Sequence, residues 1–174
     1  KLAAERGLLA HQALDKLDAA ILRPSVVFGR GGAGSEMFMR LAQLPLLVMP
    51  GVALRARIQP VAVTDLADAV VALVGPQLAW RGVMDCVGTR ALTLGEFIDV
   101  LRRQQGRSAA RQCGLPDWWS RAMASAGDQV SVSPWSSDTL AMLQVDNVGA
   151  VAPFTRLLGR TPCEPEHMVE RAWR

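Results

Sequence analysis

The chain has 174 residues, of which 50% are hydrophobic and 20% charged, with a formal net charge of +3. That composition supplies a core for one domain, or for a partial domain with an appendage, and the basic residues are dispersed arginines for the most part, which calls for no nucleic-acid partner. No apolar run approaches the roughly 18 to 20 residues of a membrane span; the longest, Leu44 to Leu54, is broken by Pro45, Pro50 and Gly51.

Residues 1–16 read as a helix with Leu2, Leu9, Ala13 and Leu17 near one face, and residues 18–23 as a buried strand running into Pro24. Gly29-Arg30-Gly31-Gly32-Ala33-Gly34 reads as a flexible loop, after which Ser35 caps a short helix to about Leu44. Residues 46–55 look extended around Pro50-Gly51, and Arg57 to Val63 suggest a further short strand. Thr64 is the expected N-cap of the next helix, with Asp65 favourable at its positive end. Leu66, Ala69, Val70, Leu73 and Val74 follow helical spacing, which predicts a buried face containing Leu66, Val70, Leu73 and Val74. Gly82 to Val87 read as a strand. Thr93 and Glu96 form a capping box ahead of Leu94, Phe97, Ile98 and Leu101, and Gly106 ends that helix. Beyond residue 107 the pattern weakens; residues 117–126, 137–145, 153–160 and 164–173 are the expected helices.

Cys86, Cys113 and Cys163 are widely spaced and odd in number, and the only histidines are His11 and His167. This fits reduced thiols in a cytoplasmic protein and offers no metal-ligand spacing. No signal peptide is visible, and the first residue is Lys1 rather than Met, so the natural start is expected to lie upstream. The glycines at 29, 31, 32 and 34 carry no Walker lysine, and although 29, 31 and 34 have the spacing Gly-x-Gly-x-x-Gly, the stretch reads as a loop leading to a substrate-side helix rather than as a phosphate cradle. Trp118-Trp119, with Arg107, Arg111 and Arg121 nearby, reads as a packed and a partly exposed tryptophan rather than a base-stacking platform.

The stretch Lys1-Leu2-Ala3-Ala4-Glu5, followed by Ala19-Ala20-Ile21-Leu22-Arg23-Pro24-Ser25-Val26-Val27-Phe28-Gly29, resembles the helix and strand after the active-site tyrosine of extended or atypical short-chain dehydrogenases/reductases, the NAD-dependent epimerase/dehydratase-like proteins. There a Tyr-x-x-x-Lys motif precedes an Arg-Pro-x-x-Val-x-Gly segment. The resemblance implies that Lys1 is the lysine that holds the nicotinamide ribose and favours the phenolate of a tyrosine lying just before residue 1. It also implies that the backbone of Pro24, Ser25 and Val26 approaches the nicotinamide carboxamide, at the carboxyl end of a strand where open α/β sheets bind cofactors. The chain itself contains no tyrosine. A surface lysine at a cut site and an ordinary strand–loop junction are the competing readings of these residues.

Ile58-Gln59-Pro60-Val61-Ala62-Val63-Thr64-Asp65-Leu66-Ala67 resembles the segment that returns to the nucleotide-binding domain in the same family. Nucleotide-sugar epimerases place a diphosphate-gripping arginine before it; alignment on Asp65 puts Ile58 there, with Arg57 one residue away. Leu143-Gln144-Val145-Asp146-Asn147-Val148 and Leu158-Gly159-Arg160-Thr161-Pro162 resemble the tail of members related to the accessory NAD(P)H-binding subunit of respiratory complex I.

The resemblance implies an α/β fold: part of a Rossmann-type parallel sheet with a smaller, mostly helical substrate-side domain. Residues 1–29 and 57–88 would be the carboxyl-terminal part of the NAD(P)-binding domain, and residues 30–56 and 89–174 the substrate-side domain. The implied protein is an NAD(P)-dependent oxidoreductase or epimerase-like enzyme, present as a fragment without its dinucleotide-binding N-terminus. The alternative is a non-catalytic NAD(P)H-binding accessory or assembly protein, so whether the chain is enzymatic stays open. The expected cofactor is NAD or NADP, held weakly by this chain alone. The expected partners are an unidentified small-molecule substrate and a second copy of the chain, with no nucleic acid and no membrane span.

Overall fold

In the computed structural model the described residues are 2–13, 19–75, 80, 82–116 and 146–173. They form a mixed α/β structure whose strands pair mostly in parallel. Helix α1 (Leu2–Ala13) leads to β1 (Ala20–Pro24), which pairs in parallel with β6 (Gly82–Cys86), from Ala20 opposite Gly82 to Pro24 opposite Cys86. β2 (Val27–Phe28) pairs in parallel with β5 (Val61–Ala62), and β3 (Leu46–Pro50) with β8 (Arg111–Leu115). β4 (Arg57–Ile58) and β7 (Leu92–Thr93) are antiparallel. Parallel neighbours require long crossovers, which here contain α2 (Ala33–Leu41), α3 (Gly51–Arg55), α4 (Val63–Val74) and α5 (Leu94–Gln104). Helix α6 (Val151–Leu158), a 3-10 turn (Pro165–His167) and a π-helical turn (Val169–Trp173) close the chain.

Helix α5 follows its local signals. Thr93 Oγ1 accepts from Glu96 N–H at 3.2 Å, and Glu96 Oε2 accepts from Thr93 N–H at 2.7 Å, the reciprocal capping box. Phe97, Ile98 and Leu101 are fully buried, and Gly106 takes φ +72° just after the helix. Phe97 meets Phe28 and Phe38 edge-on, with ring centroids 5.8 Å away in each case. Trp173 stacks on Phe28 at 5.6 Å, which draws the C-terminal turn into this cluster. Arg102, 4% exposed, donates to the carbonyl oxygens of Ser108, Ala42 and Leu44, joining α5 to the end of α2. A second cluster holds Val61, Ala69, Met84, Cys86, Phe154 and Leu157, so α6 packs on α4 and β6.

Other expectations from sequence are corrected. Ser35 is not the cap of α2: Gly32 occupies that position, and the Ser35 hydroxyl, already inside the helix, reaches back to accept from Gly29 N–H at 3.0 Å. Residues 51–55 are a helical turn rather than extended chain. Ala62, not Thr64, is the N-cap of α4, and no side chain caps it. Val70 and Val74 are 47% and 81% exposed, while Asp65 and Ala69 are buried and Leu66, Ala72 and Leu73 half-buried. The physical reason is that α4 is apolar around most of its circumference, so spacing alone does not select the strip that its neighbours cover. Small Ala69 faces the contact, and α6 approaches there. The strand β8 was not foreseen in the weakly patterned region. The helices expected at 117–126 and 137–145, and Trp118-Trp119, lie outside the described residues.

Candidate functional site

The parallel pairing of β1 with β6 puts both carboxyl ends on one edge, at Pro24 and Cys86. Pro24 is exposed, Ser25 is 8% exposed and Val26 is half-buried. Ser25 N–H donates to Cys86 O at 3.1 Å, and Val26 O accepts from Val61 N–H at 2.9 Å, so the segment is tied to β6 on one side and β5 on the other.

Ser25 is occupied by the fold. Its hydroxyl donates to Asn147 O at 2.7 Å and accepts from Gln59 N–H at 3.2 Å. A ligand at this edge therefore meets the backbone of residues 24–26 rather than the Ser25 side chain. Gln59, 4% exposed, donates through Nε2 to Gly88 O at 2.7 Å and accepts through Oε1 from Gly149 N–H at 3.0 Å. Its own carbonyl accepts from Gly88 N–H at 3.2 Å. Asn147 N–H donates to Arg57 O at 2.9 Å, which completes a knot across the strand ends. Gly88 is required here because a Cβ would overlap the Pro60 carbonyl oxygen. Gln59, Gly88, Asn147 and Gly149 were not singled out from sequence as site residues. The signal available for Gln59 was a lone polar residue between Ile58 and the Pro60-Val61 strand start.

Lys1 lies outside the described residues. Cys86, at the same strand end, is fully buried, and burial first, then the nearby Asp85 carboxylate, pushes its thiol up to about 11. It stays protonated near neutral pH and is a poor nucleophile.

Ile58, at the position aligned with the diphosphate-gripping arginine, is 4% exposed in the main core cluster. The adjacent Arg57 is exposed and ion-paired with Asp146 at 3.8 Å. Asp65 is fully buried at the start of α4. Its Oδ2 accepts from Cys163 N–H at 2.6 Å, and its Oδ1 meets Arg160 Nη1 at 2.7 Å. Arg160 also pairs with Asp68. Asp65 thus latches the C-terminal segment to α4. The glycine loop is pinned as well, by Gly29 N–H to Ser35 and Arg30 N–H to Ala172 O at 3.0 Å.

Compared with solved structures, the chain is similar to UDP-glucuronic acid 4-epimerase from Bacillus cereus, solved with UDP-glucuronic acid and NAD (TM-score 0.64, 16% identity, covering 99% of this chain and 49% of that one). It is similar to RMD from Pseudomonas aeruginosa, solved with NADPH (TM-score 0.62, 17% identity, 99% and 51%). It is also similar to the NAD-dependent NDP-hexosamine 5,6-dehydratase TunA (TM-score 0.63, 17% identity, 99% and 50%). The chain shares the α/β fold of these solved structures. The chain spans about half the length of these structures. No family model matches it, and no curated protein matches it in sequence. Among the described residues no helix is long and apolar enough to cross a membrane.

Proposed function

We propose that this chain is the carboxyl-terminal half of an NAD(P)-dependent oxidoreductase or epimerase-like protein. The observation that carries the reading is the shared carboxyl edge of parallel β1 and β6, within a fold that matches such proteins along nearly the whole chain. In this reading the backbone of Pro24, Ser25 and Val26 meets the nicotinamide end of NAD or NADP, and Lys1 assists a tyrosine supplied from upstream. The glycine-rich turn that opens α2 is tied back to Ser35 and Ala172 and leads into the substrate side, so in this reading the pyrophosphate is held by the upstream half and this half meets the nicotinamide end. Residues 1–29 and 57–88 belong to the cofactor-binding layer, and residues 30–56 and 89–174 to the substrate side, with α6 returning against α4 and β6. The exposed Val70, Val71 and Val74 on α4 are the apolar face that the cofactor-binding half would cover.

The second reading, a non-catalytic NAD(P)H-binding accessory or assembly protein, is favoured by Ile58 and Arg57. The aligned position is a core isoleucine and the neighbouring arginine is engaged by Asp146, so no guanidinium is poised there for a nucleotide-sugar diphosphate. Calorimetric titration of the complete gene product with NADH and NADPH tests cofactor binding. Micromolar affinity is expected there, and none for residues 1–174 alone; absence of binding by the complete product refutes both readings. A tyrosine three or four residues before Lys1 favours catalysis, and its absence favours the accessory role.

A further inference from the structure

We propose that Gln59 is a positioning residue that sets the backbone of Pro24–Val26 at the strand-end site, acting through Ser25 and through its clamp on Gly88 and Gly149. The inference rests on the NAD(P)-binding reading. Gln59 is buried and touches the site only from behind, so it contacts no ligand itself. It nevertheless joins three separate segments. Its N–H meets Ser25 Oγ, directly after β1; its Nε2 meets Gly88 O, just beyond β6; and its Oε1 meets Gly149 N–H, in the stretch before α6. Ser25 Oγ passes the restraint on to Asn147 O at 2.7 Å. A buried primary amide with its donor and acceptor both engaged has one orientation, since rotating it by half a turn would set its N–H groups against Gly149 N–H and its oxygen against Gly88 O. The knot therefore fixes the peptide planes on either side of Ser25. Those peptide groups are what an approaching carboxamide would meet.

The test separates the nicotinamide end of the ligand from the rest. NADH and ADP-ribose, which lacks the nicotinamide, are titrated against the complete gene product and its Gln59→Met and Ser25→Ala variants, with circular dichroism to establish that each is folded. The expected result is NADH binding weakened roughly tenfold in both variants, with ADP-ribose within twofold of the wild type. A folded variant that binds both ligands as the wild type does, or loses affinity for both equally, overturns the proposal, because a merely structural role gives no such split. Ser25→Ala removes a single hydroxyl and carries the test if Gln59→Met does not fold. A wild-type protein that binds neither probe refutes the underlying NAD(P)-binding reading, and the positioning role falls with it.

Discussion

Replacing Arg160 by methionine is expected to destabilise the protein more than replacing either aspartate it holds. Asp65 is fully buried, with Cys163 N–H at 2.6 Å and Arg160 Nη1 at 2.7 Å as its partners. Arg160→Met leaves this carboxylate buried with one hydrogen bond. Breaking a buried pair by removing one partner costs about 3 to 5 kcal/mol. The Arg160 side chain is 31% exposed, so water reaches the gap and the lower end, about 3 kcal/mol, applies. Asp65→Asn removes the charge, keeps an oxygen for Cys163 N–H and leaves Arg160 with Asp68 and solvent, for about 1 to 2 kcal/mol. Asp68 is 59% exposed, and Asp68→Ala should cost under about 1 kcal/mol. Urea melts of the complete gene product give the order. With a slope on the order of 2 kcal/mol/M, the Arg160→Met midpoint should fall by about 1.5 M. A midpoint for Arg160→Met no lower than that for Asp68→Ala would refute the latch.

Three further outcomes follow from the geometry. The Glu96 carboxyl is held below its ordinary value, first by the Thr93 N–H and then by the Thr93 hydroxyl. Its contribution to stability is therefore complete above the unfolded-state value of about 4.3 and lost as pH falls through the folded-state value; the stability gap between wild type and Glu96→Gln should close on acidification, and a gap independent of pH would contradict this. Iodoacetamide at pH 8 should modify exposed Cys113, while buried Cys86, with its thiol pushed up to about 11, reacts only on unfolding; equal labelling rates in the folded protein would count against the burial. Residues 1–174 alone should associate through the exposed valines of α4, and light scattering that shows a monomer with a cooperative melt would argue that this face needs no cover.

Local chemistry determined what could be read without coordinates. The Thr93–Glu96 box and the Leu94/Phe97/Ile98/Leu101 spacing are interactions among neighbours in sequence, and α5 appears as expected; the apolar run ending at Pro24 forms a strand, but its residues are half-buried or exposed rather than buried. The resemblance carried by the Arg23-to-Gly29 and Ile58-to-Ala67 segments pointed to the α/β fold found here. Tertiary structure alone decided which faces meet. Helix α4 has valines on several sides, and only the approach of α6 selects Ala69, and that of the C-terminal segment Asp65, for burial while Val70 and Val74 stay outside. The same holds for the polar groups. Ser25 finds Asn147, 122 positions away, Gln59 finds Gly149, 90 positions away, and Asp65 finds Cys163 and Arg160 near the end of the chain. Such pairs have no period and no spacing rule. Each exists because a buried donor or acceptor must be matched wherever packing brings a partner within reach.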